Sequence, residues 1–358
     1  MAQLLASASE LIEPVILSEG VSVADVAGRV PYLQLPSTSH LRETRKHSPG
    51  TAGRLFDASV AMVVAALTAI RPPVVIHDTF VWPPLLRAAK LMGMRQVLSL
   101  RPRRDFAGYL ASEFCPLRDM DLIFVPDCVE HHLQLDEALR TAGIFPLWAG
   151  PLYRRPQSDT AAVRAAIGIT PHQKLITVTS GGGSGADSGR FFSQVIAALQ
   201  KSSDLNCVVA VVLGPLSQIA LDVPATFPHD LRVWRAAPDM PGLLAASDLI
   251  VCRGGYGTIH EAVFTGVPVI AQPADRVVDD QMSRLLAHRA EGRCEMFGPA
   301  STQSWVAEQV EQLLQRPRCL SMTTTDAAAY ATLASQIVGL ATAEPPLGSM
   351  RSLADMHV

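Results

Sequence analysis

The sequence has 358 residues, of which 48% are hydrophobic and 18% are charged, and its formal net charge is −3. This composition is typical of a globular chain and excludes a disordered one. The length suits two domains of ordinary size. Because the net charge is small and negative, a large basic surface for nucleic acid is not expected.

The cysteines and the N-terminal residues bear on the compartment. The six cysteines are scattered without Cys-x-x-Cys spacing, which indicates free thiols in a reducing compartment. The first residues carry Glu10 and Glu13 and no basic stretch, so they do not predict a signal peptide. The longest apolar run, residues 58–70, is too short for a membrane span. We therefore expect a cytoplasmic protein.

In the first half of the chain, short β-rich segments alternate with longer helical patterns. This alternation is typical of a parallel sheet covered by helices. Strands are predicted at 74–77, 96–100, 121–125 and 145–148. Helices are predicted at 51–70 and 81–92.

The second half repeats the same alternation, so both halves are predicted to be α/β. Its strands are predicted at 174–179, 207–213, 231–234, 249–251 and 267–271. Its helices are predicted at 188–200, 240–246, 258–265, 279–288 and 303–315. Prolines and glycine interrupt the pattern at 150–156. We therefore expect domains at 1–153 and 154–342, followed by a loose tail at 343–358.

A glycine-rich segment, SGGGSGA at residues 180–186, follows a predicted strand and precedes a helix. Converging backbone N–H groups and the helix dipole can bind an anion there, although such a run can also be only a flexible turn. The glycines formally fit a dinucleotide motif, but the next strand ends in Gly214 and Pro215 where a ribose-binding carboxylate would be needed. NAD is therefore a minor alternative. No Gly-Lys-Ser/Thr follows the glycines, so a P-loop is excluded.

A second glycine-rich segment, RGGYGTIHE at residues 253–261, also joins a strand to a helix. Its glycines would let the helix N-terminus approach a ligand, and Thr258 adds a hydroxyl. Glu261 follows one helical turn later, where its carboxylate would repel a phosphate but could accept two hydrogen bonds from a ribose diol. A turn without a ligand is the alternative.

The order of these motifs resembles a known enzyme family. The chain resembles the nucleotide-sugar half of GT-B glycosyltransferases, and is similar to the peptidoglycan N-acetylglucosaminyltransferase type of glycosyltransferase family 28 and to the predicted glycosyltransferases related to it. The resemblance covers residues 150–290. It rests on SGGGSGA at 180–186, Asp239-Met240, residues 246–262, Gly266-Val-Pro268, Pro273 and Asp280-Gln281.

The resemblance implies two Rossmann-like domains facing a cleft, and it implies roles for individual residues. Backbone amides of both glycine-rich segments would hold the diphosphate. Glu261 would bind the ribose hydroxyls, the backbone near Ala237 the base edge, and Arg154 would lie close to the uracil. Arg253 would contact phosphate, and Asp280 and Gln281 would bind the donor sugar. The amide-bearing residues are Gly181, Gly182, Gly183, Ser184, Gly185, Gly254, Gly255, Gly257 and Thr258.

The N-terminal half departs from the family, because the usual first strand, glycine-rich loop and helix are not recognisable. Segments 14–17 and 32–36 resemble later strands. An inverting transfer needs a base near the acceptor hydroxyl, and His77 with Asp78, at the end of a predicted strand, is the candidate. A histidine satisfied within a loop is the alternative. His131 and His132 with Asp136 have poor spacing for a metal on one helix face, so no metal site is predicted.

The resemblance implies an inverting glycosyltransferase that uses a nucleotide-diphospho-sugar, preferably a UDP-sugar, without metal or other cofactor. Its acceptor would be a small molecule or a lipid-linked one, and peripheral membrane contact would follow in the second case. One alternative is a nucleotide-sugar hydrolase or epimerase on the same fold. Another is a non-catalytic sugar-nucleotide-binding chain that needs a partner subunit.

Overall fold

The computed structural model describes residues 14–18, 31–35, 38–182, 187–215, 217–276, 279–318 and 325–343. The chain divides into two compact units. The first comprises Met1–Gly150 and Thr325–Val358, and the second comprises Pro151–Thr324. The division at 150/151 lies three residues before the predicted boundary, and the C-terminal segment belongs to the first unit instead of the second.

The described part of the first unit contains a four-stranded parallel sheet and a separate parallel strand pair. The pair consists of β1 (Ile16–Ser18) and β2 (Tyr32–Gln34), in the region of the two predicted strand-like segments. The sheet has the order β3-β4-β5-β6, which is also the chain order. These strands are β3 (Val74–Asp78), β4 (Arg95–Ser99), β5 (Leu122–Val125) and β6 (Leu147–Trp148).

Helices connect these strands and cover the sheet. They are α1 (Thr38–His47), α2 (Pro49–Ile70), α3 (Pro83–Leu91), α4 (Phe106–Ala111) and α5 (Leu133–Thr141). A proline in the first turn of α2 and of α3 fits a position whose N–H has no intrahelical partner. Leu17 and Leu33 of the strand pair pack with Val63 and Leu67 of α2, and with Val75 of β3. This cluster joins the strand pair to the core of the first unit.

Helix α2 corrects one expectation. The helix has 22 residues, whereas the apolar run recognised in the sequence covers only the 13 residues of 58–70. The length and composition of the helix alone are sufficient to cross a membrane. In the unit, α2 buries Ala52, Ser59, Val63 and Leu67. Phe56 and Met62 of the same helix are exposed.

The second unit is built on a six-stranded sheet in which every pairing is parallel. Its strands are β7 (Lys174–Thr179), β8 (Cys207–Val212), β9 (Asp230–Trp234), β10 (Leu249–Arg253), β11 (Val269–Gln272) and β12 (Glu295–Met296). Its helices are α6 (Thr160–Ile167), α7 (Ser188–Leu199), α8 (Met240–Ala246), α9 (Tyr256–Val263), α10 (Gln281–Ala290) and α11 (Gln303–Leu314).

The central strands of this sheet are covered on both faces, so they have apolar side chains at successive positions. All six residues of β8 and all five of β10 are buried. One face packs on α7 and α11 in a cluster that contains Phe191, Phe192 and Val306. Cys207 lies in this cluster and Cys252 lies in a second apolar cluster of the unit, as expected for small apolar residues. Burial raises the pKa of the Cys207 thiol to about 12.

The last described helix, α12 (Thr325–Thr342), belongs to the first unit. It packs against β3 and β4, and Leu333 and Ile337 are buried. The sequence pattern did not predict this helix, and it also missed α1, α4, α5, α6 and β12. The predicted α/β fold with parallel sheets in both units is confirmed.

Candidate functional site

The two glycine-rich turns of the second unit lie at the carboxyl ends of adjacent strands. The sheet order is β12-β11-β10-β7-β8-β9, so the chain runs outward from β7 to β9 and then returns to place β10 on the other side of β7. This reversal is a topological switch point, and ligands of open α/β sheets bind outside the carboxyl ends of the strands at such a point. One glycine-rich turn follows β7 and the other follows β10.

The first turn is described at Ser180, Gly181 and Gly182. Gly181 has φ +75°, a conformation that favours glycine, and a Cβ built there would lie 2.8 Å from Thr258 Oγ1. The absence of a side chain at Gly181 therefore lets the first turn approach the start of α9 in the second turn. Gly183, Ser184 and Gly185 lie outside the described residues.

In the second turn, the glycines differ in what surrounds them. A Cβ at Gly254 would lie 2.8 Å from Leu285 Cδ1, so this glycine is required by packing on α10. Its amide donates to the carbonyl of Gln272 at 2.9 Å, which continues the sheet. The expectation that the Gly254 amide holds a diphosphate is therefore corrected. Around Gly255 and Gly257, no described atom lies within 4 Å of an added Cβ.

Arg253, the last residue of β10, is buried and links the two turns. Its guanidinium donates to Asp187 Oδ2 at 2.6 Å and to Gln272 Oε1 at 3.1 Å. Asp187 is the residue before α7, and the hydrogen bond from Arg253 holds the pKa of its carboxyl below the usual value. Gln272 in turn donates to Gln194. The Arg253 guanidinium is thus held in an ion pair at the carboxyl end of β10, beside the residue that precedes α7.

Glu261 is 7% exposed and is bound in a bidentate manner by Arg154. Arg154 donates from Nε to one carboxylate oxygen at 2.6 Å and from Nη2 to the other at 3.2 Å. The neighbouring Leu152 amide donates to the Tyr256 hydroxyl at 2.7 Å, which fixes this segment to the first turn of α9. The structure therefore brings together the residues predicted to bind ribose and to lie near the base.

Asp239 holds the segment before α6 in place. Its carboxylate caps α8 by accepting from the Gly242 amide, and it also accepts from the amides of Gln157 and Ser158. Ala237 lies just before this cap, half-buried against the core. The predicted base-reading backbone is therefore part of a loop that is anchored at one end by a helix cap.

Asp280 and Gln281 form the start of α10. Asp280 is the N-cap, and its carboxylate accepts from the amide and the hydroxyl of Ser283. Gln281 is buried, accepts from the Ala274 amide at 2.8 Å and donates to Asp279 at 3.1 Å. Asp280 therefore caps the helix, and the contacts of Asp280 and Gln281 with the donor sugar stay a prediction.

Arg284 is a site residue that the sequence analysis missed. Its side chain is fully buried, donates to Asp279 Oδ1 at 2.7 Å and to the Gly254 carbonyl at 3.4 Å, and lies over the Tyr256 ring. It therefore connects the glycine-rich turn after β10 to the loop before α10. A lone arginine in a helix pattern is normally interpreted as exposed, so only the position of its partners in the fold reveals this role.

The candidate base residues lie in the first unit, at the end of β3. His77 is 3% exposed, and its Nε2 lies 3.0 Å from Gln96 Oε1. Because the Gln96 amide nitrogen donates to the Met94 carbonyl, its oxygen faces His77 and His77 Nε2 is the donor. Burial lowers the pKa of His77. Asp78 is half-exposed, accepts from the Thr79 hydroxyl, and lies 3.9 Å from Arg101.

Comparison with known proteins agrees with this geometry. Residues 175–337 match the model of the glycosyltransferase family 28 C-terminal domain. This match includes both described turns, Glu261 and Gln281. The chain is glycosyltransferase family 28-like, with the GT-B fold.

Individual relatives match parts of this family 28-like chain. A UDP-N-acetylglucosamine–N-acetylmuramyl-(pentapeptide) pyrophosphoryl-undecaprenol N-acetylglucosamine transferase of Exiguobacterium sp. is 29% identical over 126 residues, which are 35% of this chain and 34% of that protein. The chain thus spans about a third of the length of this curated relative.

Solved structures match the family 28-like chain over most of its length, and they show the fold. The glycosyltransferase SnogD from Streptomyces nogalater has a TM-score of 0.61 at 20% identity, covering 95% of this chain and 94% of that one. Arabidopsis thaliana UGT89C1 complexed with UDP has a TM-score of 0.60 at 15% identity, covering 90% and 91%. The predicted GT-B fold is confirmed by these neighbours.

Proposed function

We propose that this chain transfers a sugar from a UDP-sugar to an acceptor hydroxyl, with inversion at the anomeric carbon. The observation that carries the proposal is the pair of glycine-rich turns at the switch point between β7 and β10, in a domain that matches family 28. Two helix N-termini and a buried arginine at one sheet edge form a site for a diphosphate.

Different residues at this edge would bind different parts of the sugar donor. Amides in the first turns of α7 and α9 have no intrahelical acceptor, so they can donate to diphosphate oxygens. The Arg253 guanidinium, which an ion pair with Asp187 holds in place, would contact the diphosphate as it leaves. Glu261 presents two acceptor oxygens to a ribose diol, and Arg154 fixes the plane of that carboxylate.

The acceptor side requires a general base. A base must come within hydrogen-bond reach of the acceptor hydroxyl, so accessibility decides between the two candidates. Asp78 has 47% of its side chain exposed, whereas His77 is 3% exposed and donates from Nε2 to Gln96. Asp78 is therefore the better candidate for the base, and His77 is better interpreted as a residue that supports the strand.

A ligand panel tests the proposal. Thermal unfolding would be followed with UDP, UDP-sugars, dTDP, GDP and NAD, because a ligand at about a hundred times its Kd adds about 2.7 kcal/mol to the native state. For a domain of this size, each kcal/mol raises the Tm by roughly 2–4 °C. We expect a rise with UDP and none with NAD. No rise with any nucleotide would overturn the proposed donor site.

Product analysis then separates the activities that share the fold. Release of UDP only when an acceptor is present supports a transferase. Release of UDP in water alone identifies a hydrolase, and conversion of the sugar without release of UDP identifies an epimerase. Binding of UDP-sugar with turnover only after a second protein is added identifies a chain that needs a partner subunit.

A further inference from the structure

The turn that follows β5 in the first unit gathers nitrogen, sulfur and oxygen donors. Asp127 and Cys128 follow the strand, and His131 ends a short 3-10 helix over Val129–His131. Ligand atoms of these three side chains all lie within 4.8 Å of one another. Residues three apart lie on the same side of a 3-10 turn, so the spacing of Cys128 and His131 is set by local structure.

The separations suit a small tetrahedral ion. Asp127 Oδ1 and His131 Nδ1 are 3.5 Å apart. Two ligands at about 2.1 Å from a zinc ion, at a tetrahedral angle, would be about 3.4 Å apart. The oxygen and nitrogen are therefore already spaced as zinc ligands, and the Cys128 sulfur lies within 4.8 Å of both.

The carboxylate of this turn is buried and lies among polar partners. The Asp127 carboxylate is completely buried, and a buried carboxylate is costly unless it is paired or binds a metal. The backbone amide of Cys128 donates to Oδ1 at 2.9 Å, and His132 Nε2 lies 3.0 Å from Oδ2. Cys128 is only half-buried, so an ion can enter from the side of the thiol.

His132 has the position of an outer residue that orients a metal ligand. It contacts the Asp127 oxygen that faces away from His131, and its ring stacks on Trp148 with an interplanar angle of 12°. Carboxylates that bind metals are commonly held by hydrogen bonds of this kind. Trp148 in turn donates to Asp136. Asp136, which the sequence analysis considered as a metal ligand, therefore supports the cluster from outside.

We propose that Asp127, Cys128 and His131 form a zinc-binding site at the carboxyl end of β5, with His132 as a positioning residue. Thiolate and imidazole ligands favour zinc over magnesium or calcium. Cys128 would bind as the thiolate and release its proton to solvent. The ion would fix the turn between β5 and α5, and this role is independent of the sugar transfer proposed for the second unit.

The test uses the full chain, purified without a polyhistidine tag and stripped of metal. Titration with Co²⁺ reports directly on sulfur ligation, because a thiolate bound to Co²⁺ gives a charge-transfer absorption in the near ultraviolet. We expect this band to appear in the native sequence and to saturate at one ion per chain. Zn²⁺ should displace Co²⁺ and should raise the Tm by roughly 5–10 °C at about a hundred times its Kd.

Variants identify the ligands. Cys128→Ser should abolish the band, His131→Ala should abolish stoichiometric binding, and His132→Gln should weaken zinc binding about 10- to 100-fold. Cys115→Ser is the matched control, because Cys115 is also a half-buried cysteine of the first unit, and it should leave the band unchanged. Circular dichroism of the metal-free variants checks that they fold.

Two results would overturn the zinc site. One is the absence of a thiolate band in the native sequence at saturating Co²⁺. The other is a band that survives in Cys128→Ser but is lost in Cys115→Ser. Binding of UDP measured in the same proteins keeps this outcome separate from the donor-site proposal, since loss of zinc should leave UDP affinity unchanged.

Discussion

The carboxyl edges of the two sheets differ in topology, and the difference explains which edge carries a recognisable site. In the second unit, the strand order reverses at β7 and β10, which are adjacent in the sheet. Two turns from distant parts of the sequence therefore begin side by side at one edge. In the first unit, the order β3-β4-β5-β6 follows the chain without a reversal among the described strands. A crevice for a ligand forms where the order reverses.

The buried polar residues at the two edges follow this difference. Arg253 bonds to Asp187 across 66 residues of sequence, and Arg154 bonds to Glu261 across 107. Both pairs therefore join segments that are far apart in the sequence. His77 instead bonds to Gln96 of the adjacent strand β4, within the sheet. Polar contacts between distant segments indicate a site at the second edge, whereas the contact within the sheet indicates a structural role at the first.

The largest effect is expected for Arg284→Ala, which removes the buried charge between the loops of the second edge. Removing one partner of a buried ion pair costs about 3–5 kcal/mol, because Asp279 is left without its guanidinium. The free energy of unfolding should fall by that amount, as measured by denaturant unfolding. Arg289→Ala on the same helix is the control, since its exposed pair with Glu295 should contribute about 1 kcal/mol or less. Equal losses in both variants would contradict a special role for Arg284.

The next effect concerns ligand binding. Glu261→Gln keeps the shape of the side chain but removes the charge that would accept two ribose hydroxyls. Hydrogen bonds to charged groups contribute about 1.5–3 kcal/mol, so UDP affinity should fall about 10- to 100-fold in isothermal titration calorimetry. Glu311→Gln, an exposed residue of α11, should leave the affinity unchanged. An unchanged Kd in Glu261→Gln would remove the ribose contact from the proposed site.

Substitutions at two glycines of the second turn distinguish the effect of packing on stability from the effect of ligand approach on binding. Gly254→Ala places a Cβ against Leu285 and should cost about 1–3 kcal/mol of stability through overpacking. Gly257→Ala meets no described atom within 4 Å and lies in helix α9, where alanine is favoured over glycine by about 0.5–1 kcal/mol. We therefore expect Gly257→Ala to keep or raise the Tm while weakening UDP binding. If its UDP affinity is unchanged, the diphosphate does not approach this glycine.

The sequence was sufficient for the features that are set locally. The apolar runs of β7 and β10 and the glycines after them indicated both the parallel sheet and the two turns. Long-range partners could not be read from the sequence, because they depend on how the fold places separate segments next to one another. Thus the hydrogen bond from Arg284 to the Gly254 carbonyl was missed. The hydrogen bond from the Gly254 amide to the Gln272 carbonyl, which makes this amide part of the sheet, was missed as well. The cluster of Asp127, Cys128 and His131 is local, but His131 was considered together with His132 and Asp136 instead.

The smallest effect is expected at the first edge, and it depends on pH. Burial lowers the pKa of His77 below 6.5, and the Gln96 hydrogen bond opposes part of that shift. The unfolded chain therefore takes up a proton before the folded one does, so the contribution of His77 to stability is complete above pH 6.5 and is lost as the pH falls through the lowered pKa. His77→Gln, which can still donate to Gln96, should lose less Tm between about pH 7.5 and about pH 5.5 than the native sequence. The exposed His47→Gln is the control and should behave like the native sequence.

UDP affinity should stay unchanged in His77→Gln, since His77 bonds within the sheet of the first unit. If the variant instead abolished turnover while it kept UDP binding and stability, His77 would be the base, and the first edge would carry chemistry despite its sequential strand order.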